Sequence, residues 1–434
     1  MPRLGATRKV MGLLERILST ENIRRAIQRV KRNKGAAGID GLGTEALESH
    51  LSKHWEEVSQ LIRAGHYLPK AVRGIAIPKP NGGQRLLGIP TVLDRVIQQG
   101  IQQVLTPIFD HEFSASSYGF RPGRNAQQAV LKANEYVNAN RRYIVSLDLE
   151  NFFNRVNHDY LMSLLHRKVK GPKLLKLIRR YLQSGIMLGG MTSPRNEGTP
   201  QGGPLSPLLS NILLDELDKE LESRGHCFVR YADDCNIFLK SKSAANRVKA
   251  SITSFIEGKL RLPVNRKKTT VERPHSVEIL GYRFLPTYKK KGEFAPNITK
   301  ASLERLKGKI KIITRKTTPM SFDERMVRLR RLVHGWINYF KLGGISSRLK
   351  QIDNWIRNRL RYCIWHHWKN PKRKKKNLLR LGIPEGQAYA WSNTRMGGWA
   401  VACSPILRTT ITIDRLKQRG YIPFYEYFNQ VRHA

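Results

Sequence analysis

Three aspartates constrain this chain more than any other feature, because each stands beside a short apolar run typical of a buried strand. Asp148 follows the run at 143–147. Asp233 and Asp234 lie together in the middle of the apolar segment 228–239. Carboxylates crowded among apolar residues repel one another unless cations neutralise them. The pattern therefore predicts strand ends that gather three acidic groups around metal ions, although the adjacent pair alone also fits an exposed turn.

The balance of charge predicts a polyanionic partner. The 434-residue chain carries 78 lysines and arginines against 33 aspartates and glutamates, a formal net charge of +45. Nucleic acid is the default partner for so basic a chain.

The hydrophobic content of 40% favours folded domains over disorder. No run approaches 18 apolar residues and no signal peptide follows the start, so we expect no membrane partner and a cytoplasmic location.

Apolar periodicity predicts four domains. Residues 66–296 alternate short strands with helices, which is typical of an α+β catalytic core. Residues 297–370 contain amphipathic helices, and between 300 and 376 there are 23 basic and 4 acidic residues, an asymmetry typical of a phosphate-binding surface. The predicted domains are a helical N-terminal extension at 1–65, the core at 66–296, the helical region at 297–370, and a basic linker with a small aromatic-rich C-terminal module at 371–434.

A glycine-rich turn predicts a hairpin in the core. The segment 73–90 reads as two short strands joined through Asn81-Gly82-Gly83. Lys79 and Arg85 would then flank the tip of the hairpin. A solvated hairpin face would account for two cations in that position.

Several sequence blocks, in fixed order, give the chain a specific resemblance. They stand at 117–124, 146–153, 199–207, 231–234, 262–268 and 280–282. Their residues, such as Tyr231-Ala-Asp-Asp234, resemble the blocks of reverse transcriptases, and the chain is similar to bacterial group II intron reverse transcriptases with maturase function. The resemblance covers about residues 60–370. It implies a right-hand polymerase with fingers, palm and thumb, in which the helical region is the thumb and maturase domain.

The resemblance implies a two-metal site for nucleotidyl transfer. Asp148, Asp233 and Asp234 would be ligands of two Mg²⁺ ions, for which Mn²⁺ can substitute, and the backbone carbonyl of Leu149 would add a further donor. Mg²⁺ prefers such hard oxygen ligands. The two ions would stabilise the attacking and leaving oxygens. Asn154 stands where many relatives carry Asp, so no metal ligand is expected there.

The resemblance also implies a nucleotide pocket. Phe153, five residues after Asp148, would stack under the sugar and exclude a 2′-hydroxyl, with Phe152 as the competing assignment. Lys79 and Arg85 would contact the triphosphate, where cations neutralise charge on the leaving group.

Further site residues follow from the same blocks. Gln201 and Gly202 would line the nucleotide pocket, where a missing side chain allows close backbone approach. Lys268 would lie near the active site. Arg121 and Arg124 would touch template phosphates.

The segment 334–340 resembles part of the thumb and maturase region of the family. Its aromatic residues are expected mostly in the core. On the polar face of these helices the candidates for RNA phosphate contacts are Arg325, Arg328, Arg331 and Lys341.

The leading interpretation is an RNA-directed DNA polymerase encoded by a group II intron. Its substrates would be deoxynucleoside triphosphates and an RNA template with a DNA primer. Its partners would be the intron RNA, which it helps to splice, and the target DNA of retrohoming. The paired cysteines of a His-Asn-His nuclease do not follow the maturase region. We therefore expect a DNA-binding domain within residues 371–434 that binds target DNA without cleaving it.

Two other interpretations stay open. One is a splicing-cofactor maturase without polymerase activity, and the other is a retron-like or defence reverse transcriptase. The long N-terminal extension and the maturase-like helices favour the intron class. The sequence also leaves open whether the basic N-terminal helices grip RNA or form a homodimer.

Overall fold

The computed structural model describes residues 11–78, 82–287 and 291–433. Its contacts divide the chain into two compact units between Arg273 and Pro274. We call them the N-terminal unit and the C-terminal unit. The four-part division at 65, 296 and 370 stays a prediction.

The N-terminal unit mixes helices with short strands. Its helices are α1 (Leu13–Leu18), α2 (Thr20–Arg32), α3 (Leu47–Ala64), α4 (Val92–Asp110), α5 (Ala126–Asn138), α6 (Phe152–Arg155), α7 (His158–Lys168), α8 (Pro172–Gln183), α9 (Ser206–Ser223) and α10 (Lys242–Phe255). Its strands are β1 (Val72–Pro78), β2 (Gln84–Ile89), β3 (Tyr143–Leu147), β4 (Ile186–Leu188), β5 (Met191–Ser193), β6 (Cys227–Tyr231), β7 (Asp234–Leu239) and β8 (Thr270–Glu272). A π-helical turn at Ile256–Leu260 continues α10.

One sheet contains the predicted glycine-turn hairpin. Its strand order is β2-β1-β4-β5, with β1 and β2 antiparallel and β1 parallel to β4. The pairing of Pro78 with Gln84 confirms the two predicted strands. Sequence analysis missed β4 and β5, because three-residue strands on either side of Gly189-Gly190 are too short to show a period.

The second sheet carries the three aspartates, and we call it the aspartate sheet. Its strand order is β6-β7-β3-β8, and each neighbouring pair is antiparallel. Helices α5, α9 and α10 pack against its strands. Strands covered by helices bury most of their side chains, which explains the continuous apolar runs in the sequence. The apolar core of the unit lies between this sheet and the surrounding helices.

Helix α4 is the central helix of the N-terminal unit. It packs against α1, α2, α3 and α9, and twelve of its nineteen residues are buried. The Thr91 hydroxyl accepts from the Asp94 amide at 3.1 Å, which caps the helix. Hydroxyls of Tyr67 and Tyr181 donate to the Asp94 carboxylate at 2.8 and 3.1 Å. This network ties the N-terminal helices to the core.

The helical stretch after the aspartate strand β3 is divided into the two helices α7 and α8. The chain leaves α7 at Val169 and begins α8 at Pro172. Proline at the first helical position lacks only an amide that has no helical partner, so it favours a new start there.

The C-terminal unit is mainly helical. Its strands β9 (Tyr282–Pro286) and β10 (Phe294–Ile298) form an antiparallel pair. Its helices are α11 (Lys300–Ile313), α12 (Phe322–Phe340), α13 (Ser346–His367), α14 (Pro371–Arg380), α15 (Glu385–Ser392), α16 (Gly398–Cys403), α17 (Pro405–Thr410), α18 (Ile413–Gln418) and α19 (Phe424–His433). In the described ranges none of the helices is long and apolar enough to span a bilayer.

The predicted basic linker at 371–376 is wrong, because these residues begin α14. Asn370 caps the helix by accepting from the Arg373 amide at 3.0 Å, and Pro371 takes the first position. The charge run had suggested a solvated linker. A helix exposes such a run equally well while burying Leu378.

Helix α13 anchors the end of the chain through one buried carboxylate. Asp353 accepts hydrogen bonds from the amides of Phe424 and Tyr425 at 2.8 and 2.9 Å, and from the hydroxyl of Tyr421 at 2.8 Å. A carboxylate at the first turn of α19 also interacts favourably with the helix dipole. The small C-terminal module is therefore packed on α13.

Candidate active site

A strained turn presents the paired aspartates. Tyr231 on β6 pairs with Asp234 on β7. The two residues between them, Ala232 and Asp233, therefore form a tight hairpin turn. Ala232 has a φ of 57°, in the left-handed region that residues with a β-carbon rarely adopt. Such a conformation persists only where neighbouring groups hold it.

The ladder register brings the third aspartate to the same sheet edge. Leu147 pairs with Cys235, so the next residue along, Asp148, lies opposite Asp234. Partial burial, and then the charges of Asp233 and Asp148, raise the pKa of Asp234 to about 6. Burial disfavours the charged carboxylate, and the two neighbouring carboxylates add to that effect. Residues far apart in sequence thus meet as expected.

The donor set fits a hard divalent cation. Leu149 forms an isolated antiparallel bridge with Val264, and the hydrogen bonds beside it use the Asp148 carbonyl and the Glu150 amide. Among the described residues no backbone amide donates to the Leu149 carbonyl, which remains available as a ligand. Carboxylate and carbonyl oxygens are the protein ligands that Mg²⁺ takes.

The site is open rather than a closed metal cage. Across the described ranges, no three His, Cys, Asp or Glu side chains come close enough together to form a ready-made metal site. An open set of acidic ligands suits Mg²⁺, because this ion keeps several water or phosphate oxygens in its shell.

Lys268 lies beside the first aspartate. Its ammonium is 3.9 Å from the Asp148 carboxylate and remains largely exposed. The segment that carries it is fixed to the same aspartate, because the Asn265 amide donates to the Asp148 carbonyl at 2.9 Å and Thr269 accepts from the Asp148 amide at 3.2 Å. An exposed ammonium therefore lies beside the first of the three aspartates.

Arg230 is a site residue that sequence analysis missed. Its guanidinium is fully buried and binds both carboxylate oxygens of Asp218, at 2.7 and 2.5 Å. Its remaining nitrogen donates to Asn211 at 3.0 Å and to the Ala232 carbonyl at 2.9 Å. The last bond holds the strained residue that precedes Asp233. The sequence signal for Arg230 was its position inside an apolar strand, since a buried charge requires a partner of opposite sign.

The two adjacent phenylalanines have different environments. Phe152 is buried with 2% of its surface exposed, whereas Phe153 is only partly buried, and their rings meet edge to face at 5.2 Å. The backbone carbonyl of Phe153 accepts from the Thr199 amide at 2.6 Å. Phe153 is therefore the ring of the two that a ligand could reach.

Strand β2 of the glycine-turn hairpin meets the segment at 199–207 through two hydrogen bonds. Arg85 donates to the Gln201 side-chain oxygen at 2.8 Å, and the Gly88 amide donates to the Gln201 carbonyl at 2.8 Å. Gly202 has a φ of 125°, and a β-carbon there would lie 2.6 Å from the Gly88 carbonyl oxygen. The structure therefore brings Arg85, Gln201 and Gly202 together. Lys79 lies outside the described residues.

Arg121 is placed as a structural residue. Its guanidinium pairs with Asp110 at 2.7 Å, donates to the Ser114 and Ser117 carbonyls, and is 5% exposed. These bonds argue against the predicted template contact. Arg124 is half-buried above an aromatic ring and donates from one nitrogen to a backbone carbonyl.

Arg325 in the C-terminal unit is likewise buried, with 4% of its surface exposed. Its guanidinium donates to the carbonyls of Ile313 and Arg315 and so ties α12 to the end of α11. The prediction that it contacts RNA conflicts with this environment. Helical spacing placed it on the polar face, but a long side chain can turn inward to cap a neighbouring helix.

The other three predicted RNA contacts lie on the surface. Arg328 is 54% exposed and pairs with Glu324 at 2.6 Å within the same helix. Arg331 and Lys341 are exposed at the middle and end of α12. These three side chains are accessible to a polyanion.

Two family profiles match the chain. The profile described as "Reverse transcriptase (RNA-dependent DNA polymerase)" matches residues 77–284, and "Group II intron, maturase-specific domain" matches residues 303–382. The chain therefore combines a reverse transcriptase domain with a group II intron maturase domain. The expected family, the mixed helix and strand content, and the class of RNA-directed DNA polymerase with a splicing domain are thereby confirmed.

The curated relatives of this chain differ in how much of their own length it covers. Protein YkfC of Escherichia coli is 29% identical over 66% of this chain and 86% of its own length. Group II intron-encoded protein LtrA of Lactococcus lactis is 28% identical over 65% of this chain and 58% of its own length. The chain thus spans little more than half of LtrA. Among solved structures, a chain of the partial Cas6-RT-Cas1--Cas2 complex is 27% identical, with a TM-score of 0.38, over 58% of this chain and 43% of that one.

Proposed function

We propose that Asp148, Asp233 and Asp234 form the polymerising site of this reverse transcriptase. The observation that carries the proposal is their meeting at one edge of the aspartate sheet, where burial and the two neighbouring carboxylates raise the pKa of Asp234 to about 6. When bound there with the help of the Leu149 carbonyl, two Mg²⁺ ions would stabilise charge on the attacking and leaving oxygens. In the reaction, the primer 3′-hydroxyl attacks the α-phosphate of a deoxynucleotide and pyrophosphate leaves.

Residues around the carboxylates bind and orient the nucleotide. Arg85 and Lys79 neutralise the triphosphate, because guanidinium and ammonium groups interact with its negative oxygens. Gln201 and Gly202 form the wall that the hydrogen bonds to β2 hold in place. Lys268 balances charge beside Asp148 before the nucleotide arrives.

Phe153 acts as the gate for the sugar. Its partly buried ring fills the space where a ribose 2′-hydroxyl would project, and Phe152 supports it from the core. Phe153→Ala should admit ribonucleotides roughly tenfold more readily, the lower end of what one lost steric contact provides. The measurement is the ratio of ribonucleotide to deoxynucleotide incorporation. Phe152→Leu is the control, and relaxed discrimination in that variant alone would move the gate to Phe152.

The C-terminal unit binds intron RNA to assist splicing and retrohoming. Arg328, Arg331 and Lys341 contact RNA phosphates from the exposed face of α12. Such contacts position RNA without reading its sequence. The RNA template with its DNA primer and the target DNA are further partners. The maturase-specific match favours this role over a retron-like or defence function.

Primer extension tests the polymerase proposal. Purified protein is given an RNA template, a DNA primer, deoxynucleotides and Mg²⁺, and Asp233→Asn is compared with wild type. Loss of extension in Asp233→Asn is expected. Glu150→Gln is the matched control, because that exposed acid lies two residues from Asp148 but outside the carboxylate group. Wild-type protein that binds intron RNA but never extends a primer would favour the splicing cofactor without polymerase activity.

A further inference from the structure

Two adjoining cavities of the C-terminal unit run along one helix. A cavity of about 700 Å³ lies between α11 and α13, and a second of about 440 Å³ lies between the end of α11, α13 and α16. Trp355 of α13 lines both, so together they form one groove, which we call the α11–α13 groove. The side chains that define it for the argument are Lys300, Lys311, Arg348, Trp355, Tyr362 and Trp399.

The charge of the groove is strongly positive. Five cations and one carboxylate line the larger cavity, and that carboxylate, Glu304, is paired with Lys307 at 2.9 Å. Lys300, Lys311 and Arg348 are exposed there. Three more cations and no carboxylate line the smaller cavity. Such a groove attracts a chain of phosphates and releases their counterions on binding.

Aromatic rings alternate with the cations. Trp399 is 41% exposed, and its ring meets the Tyr362 ring edge to face at 5.8 Å. Gly398 allows this approach, because a β-carbon there would lie 2.8 Å from the Tyr362 ring. Lys316 holds its ammonium 5.1 Å from the same ring. Exposed rings beside a cationic track are the features that stack bases of single-stranded nucleic acid.

The groove is held in shape before any ligand arrives. Arg359 donates to the Thr314 hydroxyl at 2.5 Å and so ties α13 to the end of α11. The same guanidinium lies 5.1 Å from the centre of the Trp355 ring and fixes its orientation. A wall with fixed rings loses little conformational entropy on binding.

We propose that the α11–α13 groove binds an unpaired segment of nucleic acid, with phosphates on Lys300, Lys311 and Arg348 and bases stacked on Trp355 and Trp399. This inference rests on the proposed function and deepens it by assigning the strand state of the ligand. Bases within a duplex are stacked on each other and cannot reach the rings, whereas unpaired bases can. The helix rises about 21 Å from Arg348 to Tyr362, room for roughly six stacked nucleotides at about 3.4 Å each.

Intron RNA and an opened strand of target DNA share the chemistry that the groove recognises. The probe is therefore an 8-nucleotide single-stranded RNA with 2-aminopurine near its centre, beside a DNA of the same sequence and a blunt RNA duplex. All binding is measured with the full-length protein already holding a chain-terminated template–primer, which occupies the polymerase cleft. Fluorescence anisotropy reports affinity, and quenching of 2-aminopurine reports stacking.

Wild type should bind the single strand, quench the 2-aminopurine and bind the duplex much more weakly. Trp355→Ala and Trp399→Ala should each weaken binding roughly 5- to 100-fold, and Trp355→Phe should restore much of the affinity and the quenching.

Lys300→Gln with Lys311→Gln should lower the slope of log affinity against log salt by about 1.4, at about 0.7 per phosphate contact. Lys309→Gln with Lys376→Gln removes the same charge from exposed positions outside the groove and should leave the slope unchanged.

Several results would overturn the groove assignment. They are equal affinity for single strand and duplex, unchanged binding by both tryptophan variants, and photo-crosslinks from a 4-thiouridine probe that map outside α11, α13 and α16. Stronger binding of the RNA probe would identify intron RNA as the source, and equal binding of DNA would include the target strand. Primer extension and intron RNA binding are measured on the same preparations. If wild type passes both but binds no probe, the groove inference fails while the proposed function stands.

Discussion

The two units of this molecule hold their charges in opposite ways. In the N-terminal unit one charge of the aspartate sheet is fixed by its surroundings, because Arg230 is fully buried with all its nitrogens bonded. In the C-terminal unit most cations on α11, such as Lys311, are exposed on long flexible side chains. A reaction centre requires groups fixed within fractions of an ångström, whereas binding of a polyanion tolerates mobile ones. The two units therefore differ in how far their charged groups are buried, as well as in their proposed functions.

The sharpest way to break this division is to remove one carboxylate and measure both functions. Asp148→Asn should lower primer extension by roughly four orders of magnitude, or about 5 kcal/mol, because a metal ligand is lost. Intron RNA affinity should stay within about twofold. Extension is measured under single-turnover conditions and RNA affinity by filter binding. Parallel losses of both would mean that the site and the RNA surface are not separable.

A second comparison concerns Arg230, the buried arginine that donates to the Ala232 carbonyl in the turn before Asp233. Arg230→Met should lower the free energy of unfolding by roughly 3 to 5 kcal/mol, because Asp218 is left buried without its partner. Urea denaturation measures this change. The double variant Arg230→Met with Asp218→Leu should recover much of the stability while extension stays low, because the bond to the Ala232 carbonyl is still missing. Full recovery of extension in the double variant would remove Arg230 from the positioning of Asp233.

The crowded carboxylates predict a pH dependence confined to the N-terminal unit. The pKa of Asp234 is raised from 3.8 to about 6, so folding favours its protonated form. The resulting contribution to stability is present below pH 4 and is lost as the pH rises towards 6 and above. Asp234→Asn should therefore gain stability relative to wild type between pH 5 and pH 7, measured by urea unfolding without divalent ions. Added Mg²⁺ should stabilise wild type more than this variant at pH 7. A difference between the two proteins that is constant with pH would contradict the raised pKa.

The smallest expected effects come from the exposed cations of the C-terminal unit. Arg331→Gln should leave stability unchanged and lower the salt slope of intron RNA binding by about 0.7. Arg325→Gln, on the same helix but buried, should instead cost roughly 1 to 3 kcal/mol of stability, because carbonyls of Ile313 and Arg315 lose a charged donor. Thermal unfolding and salt-titrated binding distinguish the two variants. A reduced salt slope in a fully folded Arg325→Gln protein would restore that residue as an RNA contact.

Sequence reasoning succeeded where a motif fixed the backbone. The aspartates lie at strand ends and the two hairpin strands pair as the sequence pattern predicts, because strand runs and turn residues determine local conformation. Long side chains were less predictable. Arg121 and Arg325 were assigned to phosphates from their position, yet each turns inward to carbonyls that only the tertiary fold brings near.

The same limit explains what was missed. The partners of Arg230 lie on α9, a separate helix, and no local pattern joins them. The role of the groove depends on α11 and α13 lying side by side, which periodicity alone does not predict. Contacts between residues far apart in the sequence are therefore the part of the structure that one sequence does not predict.

The contacts of helix α13 also predict how a C-terminal truncation would affect the protein. One side of this rod lines the groove at Trp355, and two residues earlier Asp353 clasps the final helix through Tyr421, Phe424 and Tyr425. A truncation before Tyr421 would strip all three donors from a carboxylate that is 2% exposed. A buried carboxylate that loses its hydrogen-bond partners destabilises the structure around it. The last fourteen residues thus stabilise α13, and their removal is expected to disturb Trp355, two residues from Asp353.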